Sequence, residues 1–140
     1  MRDAYDTNNV FAKILRGELP AFKVHEDDLT LAFMDIMPAA DGHVLVIPKG
    51  PYRTLIDCPD DVLQALIVTA RKVAIAAEKA FEADGITLMQ FSEAAGGQEV
   101  FHIHFHVVPR KSGVAMRPLP RSFADKALLQ SHADKIRNAL

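Results

Sequence analysis

The sequence predicts an α+β fold: a five-stranded antiparallel sheet with a long helix, a short N-terminal helix and a C-terminal helix on one face. Three observations carry this. Five short runs rich in β-branched and aromatic residues are bounded by turn residues. Two longer stretches, 59–81 and 124–139, repeat apolar residues with helical spacing. Strands and helices do not alternate regularly, which argues against a doubly wound parallel sheet.

The elements follow in order. Thr7, Asn8 and Asn9 offer an N-cap ahead of Val10, Phe11, Ile14 and Leu15, and Gly17 supplies the C′ position that ends this helix before Pro20. Phe22–Glu26 and Thr30–Met34 read as a hairpin around Asp27-Asp28, a turn without the glycine that a tight primed turn prefers. Asp35 to Gly42 is a loop with Pro38 and the Asp41-Gly42 dipeptide. His43–Pro48 is almost continuously apolar, as expected of a central strand buried on both faces. Pro59 suits the first position of the long helix, Asp60 and Asp61 complement its positive end, and Gly85 is expected to stop it. Thr87–Phe91 is a strand and Ser92–Gln98, with its Gly96-Gly97 pair, a loop. Phe101–Pro109 is expected as the last strand, and Ala124–Ala139 is an amphipathic tail helix.

The chain of 140 residues, 49% hydrophobic, fits one domain able to bury a core, with a core region at about 9–110 and an extension at 111–140. Its net charge of -2 provides no electrostatic case for nucleic acid or a membrane surface. The single cysteine, Cys58, excludes an intrachain disulfide and a cysteine-rich zinc finger, consistent with a cytoplasmic setting. Met1–Asn9 lacks the apolar core of a signal peptide, and Leu63–Phe81 is too interrupted by charge to span a bilayer.

The most informative stretch is the last strand, which holds three of the six histidines at alternate positions. Alternation places His102, His104 and His106 on one face and Phe101, Ile103, Phe105 and Val107 on the other. The apolar face has a core to pack on, whereas a row of imidazoles has no such use. Three chemistries fit. A metal could be held by two of them with a third ligand from elsewhere, since the three together span about 13 Å. The histidines could be structural, the default for His25 and His132. Or one imidazole is a nucleophile toward phosphorus and its neighbours hold phosphate oxygens. The loop Ala94-Ala95-Gly96-Gly97-Gln98 favours the last, because small residues let backbone amides approach an anion.

His102-Ile103-His104-Phe105-His106-Val107-Val108 resembles the signature of the histidine triad (HIT) family. Phe11–Pro20, Leu31–Ile36, Gly42–Lys49, Ala95–Gln98 and Val108–Arg110 also resemble the family's segments, in the family's order. The resemblance implies a HIT-like fold and hydrolysis or transfer at the α-phosphorus of a nucleoside phosphoramidate or dinucleoside polyphosphate, with a purine nucleoside monophosphate released. It implies His104 as the nucleophile, His102 and His106 as attendants, and His43 as the family's fourth histidine. Nucleotide-binding positions would be Asp35, Ile36, Gln90, Ser92, Gly97, Gln98, Glu99 and Val100, with Asp35 accepting the ribose hydroxyls and Gln98 in the phosphate loop. No cofactor or metal is implied, and members form homodimers through the long helix and a central strand.

Several positions depart from the family pattern. Phe91 and Ser92 stand where an asparagine is common, with Gln90 a replacement of the kind seen in the Fhit-like branch. Glu99 replaces the usual Ser or Thr near the leaving group, which points toward amine leaving groups and the Hint-like branch. Gly50-Pro51-Tyr52 replaces a segment that often contains histidine, and the N-terminal cysteines that hold a structural zinc in some members are absent. A nucleotide-binding scaffold with little turnover, and a metal-dependent hydrolase built on the row, remain as rival functions.

Overall fold

The computed structural model describes residues 4–140, so the first three residues of the polar Met1–Asn9 start lie outside it. Its elements are α1 (Val10–Leu15), β1 (Lys23–Glu26), β2 (Thr30–Met34), β3 (Val44–Pro48), α2 (Asp60–Phe81), β4 (Gly85–Gln90), a 3-10 turn at Ala94–Gly96, β5 (Phe105–Arg110) and α3 (Lys126–Ala139). The strands form one antiparallel sheet in the order β1-β2-β3-β5-β4.

Local chemistry explains the ends of these elements. Asn9 caps α1 by accepting from the Ala12 amide. Gly17, at φ +78°, closes it in a Schellman arrangement, with Glu18 N–H to Lys13 C=O and Gly17 N–H to Ile14 C=O. The β1–β2 turn manages without glycine because Asp27 Oδ1 accepts from the amides of Leu29 and Thr30 and from the Thr30 hydroxyl. Asp125 caps α3 through the Leu128 amide, so the helix begins at Lys126 rather than Ala124. Two helix boundaries differ from expectation. Pro59 is the extended N-cap of α2, not its first helical residue. Glu82, in the left-handed conformation, ends α2, and Gly85 opens β4 instead of stopping the helix.

Both faces of the sheet are covered, and this corrects the expected one-sided arrangement. α2 and α3 share one face, where Ala32, Met34, Val44, Val46 and Val107 meet Leu66, Val73 and Ile136. The residues that alternate with them, Leu31, Phe33, Leu45 and Ile47, point the other way and pack under Phe11 and Ile14 of α1. β3 is buried along its whole length, as its apolar run predicts. In the pairing of β3 with β5, Leu45 faces His106 and Val44 faces Val107. His106 therefore emerges on the α1 face, while Val107 enters the larger core.

Candidate active site

The histidines lie on the α1 side, but the row is not one regular strand. β5 begins at Phe105, so only His106 belongs to it. His102 and His104 lie on irregular chain just before it, in a segment anchored by Ile103 N–H to the Tyr52 carbonyl (2.9 Å). The alternation survives: Ile103 is buried in the α2–α3 core, and the imidazoles face the other way. Phe11 of α1 covers them, its ring edge-on to His104 at 5.0 Å and to His102 at 6.3 Å.

Each imidazole has a defined tautomer, set by what its partner can donate or accept. The Pro48 carbonyl can only accept, so His102 carries its proton on Nε2 (2.9 Å), and its Nδ1 accepts from the Tyr5 hydroxyl (2.6 Å). Both nitrogens of His102 are therefore occupied. His104 donates Nδ1–H to the His102 carbonyl (2.7 Å), which leaves a lone pair on Nε2. His43 Nδ1 accepts from the Ala39 amide (2.9 Å), so its proton sits on Nε2 and is donated to His106 Nδ1 (2.9 Å). His106 then presents Nε2–H. Asp35 Oδ2 stands 3.5 Å from His43 Nε2, and Asp35 Oδ1 accepts from the Met37 amide.

Burial keeps these imidazoles neutral. It pushes His43 down to about 3 and His102 and His106 to about 4. His104 also lies below its ordinary value of 6.5 because of burial, opposed by its bond to the His102 carbonyl and by the charge of Glu99. Burial raises Asp35 to about 6.

Asp35, His43 and His106 bring three potential ligand atoms within 4.8 Å of one another, but their hydrogen bonds do not suit a metal. A histidine that binds a metal through Nε2 normally donates its Nδ1–H to an acceptor. Here Nδ1 of His43 faces the Ala39 N–H, a donor. A metal on Nε2 would set two N–H groups against each other.

The loop before the row is built differently from its sequence outline. The Gln98 side chain is buried within the loop: Oε1 accepts from the Glu93 amide (2.7 Å), and Nε2 donates to the carbonyls of Arg53 (2.8 Å) and Val100 (3.0 Å). Its amide thus shapes the loop and has no donor left for a phosphate. Glu93, at φ 65°, pairs with the guanidinium of Arg53, which lies over the Phe101 ring. Gly97 has φ +99°, and a Cβ there would come 3.3 Å from the Phe91 ring, which itself meets His106 edge-on. Gln90 and Ser92 bond to one another, and Ser92 Oγ also accepts from the Leu55 amide. Val100 packs against the α1-side core, Glu99 is exposed with its charge felt at His104 and Asp35, and Ile36 is exposed beside Asp35.

Tyr5, Phe11, Arg53 and Glu93 escaped the reading of the sequence as site residues. Phe11 could have been suspected from its place on the apolar face of α1. Tyr5 and the Arg53–Glu93 pair carry no periodic or spacing signal, because their partners lie 97 and 40 residues away.

Residues 16–113 match the model of the HIT domain, and the chain belongs to this family. The crystal structure of a HIT-like protein involved in cell-cycle regulation from Bartonella henselae is 50% identical, with a TM-score of 0.92, over 98% of this chain and 100% of that one. Among curated relatives, adenylylsulfatase HINT3 of Arabidopsis thaliana is 42% identical over 102 residues, 73% of this chain and 52% of that protein. Adenosine 5'-monophosphoramidase HNT1 of Saccharomyces cerevisiae is 38% identical over 106 residues, 76% of this chain and 65% of that protein.

Proposed function

We propose that this chain is a nucleotide hydrolase that attacks the α-phosphorus of nucleoside phosphoramidates or dinucleoside polyphosphates and releases a purine nucleoside monophosphate. The observation that carries this is His104, whose Nδ1–H is tied to the His102 carbonyl while Nε2 keeps its lone pair. In the first step Nε2 forms a bond to phosphorus and the bond to the leaving group breaks. His106 Nε2–H hydrogen-bonds to the leaving group, which takes the proton it needs from solvent, because a neutral imidazole that gave up its one N–H would become an imidazolate. In the second step water attacks phosphorus, its proton passes to solvent, and the phosphorus–nitrogen bond breaks to restore His104. The carbonyl on Nδ1–H stabilises the positive charge that the attacking ring gains. Asp35, when ionised, accepts the ribose hydroxyls beside Ile36. The relatives named as an adenylylsulfatase and an adenosine monophosphoramidase support this chemistry.

Glu99 supports a preference for amine leaving groups, since its carboxylate opposes an anionic one and attracts a cationic one. The setting proposed is one HIT domain with an extension after Arg110, acting in the cytoplasm without metal, nucleic acid or membrane. Among the described residues no helix is long and apolar enough to cross a membrane. A homodimer is part of the proposal, supported by exposed Ile67, Val68 and Ile75 on α2 and Leu88 on the edge strand β4. A monomer in light scattering would remove that part.

One experiment tests the rest. Amine- and phosphate-linked nucleotides are incubated with the protein, with and without chelator, and the intact protein is weighed by mass spectrometry. The expected result is chelator-insensitive turnover with a nucleotidyl adduct that His104→Ala cannot form. AMP binding without turnover on any substrate would reduce the site to a scaffold, and loss of activity with chelator would restore the metal-dependent alternative. In the same screen, an unchanged leaving-group preference in Glu99→Ser would remove Glu99 from the account.

A further inference from the structure

The loop that leads into the histidines has a strained entrance. Its first residue, Glu93, sits at φ 65° and ψ 163°, backbone that essentially only glycine adopts without strain. A larger residue stays there only where its surroundings hold it. The chain after β3 supplies that hold.

Arg53 is buried, and its amide donates to Asp57 Oδ2 (3.0 Å). Its guanidinium meets the Glu93 carboxylate fork to fork, Nε–H to Oε2 (3.0 Å) and Nη2–H to Oε1 (2.9 Å). The same guanidinium lies 4.3 Å from the centre of the Phe101 ring. The Arg53 carbonyl accepts from Gln98 Nε2, and Gln98 Oε1 accepts from the Glu93 amide. One residue thus grips the loop at its start, its middle and its end, and Phe101 adjoins His102. Tyr52, next to Arg53, holds Ile103 between His102 and His104 through its carbonyl. The loop also borders the third imidazole of the row: one ring, that of Phe91, separates Gly97 from His106. Among the described residues the Glu99 and Val100 amides have no protein acceptor, whereas those of Gly96, Gly97 and Gln98 donate within the loop.

Resting on the proposed nucleotide site, we infer that Arg53 is a positioning residue: its ion pair with Glu93 holds the loop in register with the imidazoles and so sets the place of the substrate's phosphate. Arg53 acts through the loop and makes no substrate contact of its own, because Glu93 fills its fork. The Glu99 and Val100 amides are the donors that this placement offers to a phosphate. Arg53→Gln keeps the carbonyl that holds Gln98 but loses the fork, so Glu93 leaves its strained backbone and the loop shifts. Glu93→Gly takes φ 65° freely and removes the need for the pair.

The test reads binding alone, so it is separate from the question of turnover. AMP and adenosine are titrated by calorimetry into the wild-type protein, Arg53→Gln, and the double variant Arg53→Gln/Glu93→Gly, with thermal midpoints as a folding control. A displaced loop is expected to weaken AMP about 10- to 100-fold in Arg53→Gln and to leave adenosine, which has no phosphate, unchanged. The double variant is expected to recover most of the AMP affinity. Equal AMP affinity in Arg53→Gln and wild type would overturn the inference. So would a parallel loss of AMP and adenosine affinity, or a double variant as weak as the single one, since either would make Arg53 a general support of the fold. If Arg53→Gln does not fold, the double variant decides: folding with AMP bound supports the inference, and failure to fold overturns it. A wild-type protein that does not bind AMP would sink the nucleotide site and this inference with it, whereas loss of the Arg53 effect alone leaves the nucleotide site intact.

Discussion

The two halves of the histidine row are held by different means. His102 and His104 stand on irregular chain and are fixed by backbone carbonyls, those of Pro48 and of His102 itself. His106 stands on a regular strand and is fixed by another imidazole, His43, which is fixed in turn by the Ala39 amide. A carbonyl accepts and never donates, so it sets one tautomer outright. An imidazole can do either, so the His106 tautomer depends on a chain of two further bonds. The first half suits a nucleophile that must keep one lone pair. The second suits a group that keeps one N–H aimed at the leaving group and the incoming water. Within the first half the choice of nitrogen decides the role: His102 has both nitrogens engaged, and His104 keeps Nε2 free.

Experiments can break this contrast in order of expected effect. His104→Ala removes the proposed nucleophile and should lower kcat/KM by about 10⁴-fold or more, measured on an adenosine phosphoramidate. A variant that kept most of its activity would move the nucleophile elsewhere. His43→Ala frees the tautomer of His106 and should lower kcat by about 10²-fold with little change in KM. An equal loss in AMP affinity would instead make His43 a ligand contact.

The pH dependence of stability comes next. His43 and His102 are depressed well below 6.5, so the unfolded chain binds protons that the folded protein refuses. Their stabilisation is full above pH 6.5, and each loses about 1.4 kcal/mol per pH unit as pH falls toward 4. Asp35 works the opposite way. Raised from 3.8 to about 6, it binds its proton more tightly when folded, so it adds stability as pH falls from 6 to 3.8. Denaturant titrations should therefore show stability falling continuously from about pH 6.5 toward 4, with Asp35 offsetting part of the loss below pH 6. Stability that is flat from pH 7 to 5 would contradict neutral buried imidazoles. The smallest effect is expected for Tyr5→Phe, which leaves His102 Nδ1 without its donor and should cost about 1 kcal/mol in the same titration. His104 should stay active, because its own tautomer rests on a different bond.

Much of this could be read beforehand. β2 and β3 follow from their residues nearly as written, and Asn9 and Gly17 bound α1 where capping chemistry places them. Boundaries that depend on tertiary pairing were less legible. Gly85 was expected to end α2, but its partner is Arg110 across the sheet, and Glu82 turns the chain instead. The sequence predicts one strand over 101–109, yet regular pairing starts at Phe105, where β3 and β4 both reach it, and runs on to Arg110. α1 was expected beside the other helices, and the second apolar face of β2 and β3 draws it to the opposite side.

By itself the sequence determined the period-2 alternation that puts three imidazoles on one side of the chain and Ile103 and Val107 on the other, because side-chain direction along an extended backbone is a local property. It also supported the family. Only the tertiary structure decided which nitrogen of each ring bears a proton, that Gln98 is turned into its own loop, and that the tail bonds back onto the loop after Asp35. Those facts depend on carbonyls, amides and charges from distant parts of the chain, and folding alone brings them within hydrogen-bond reach.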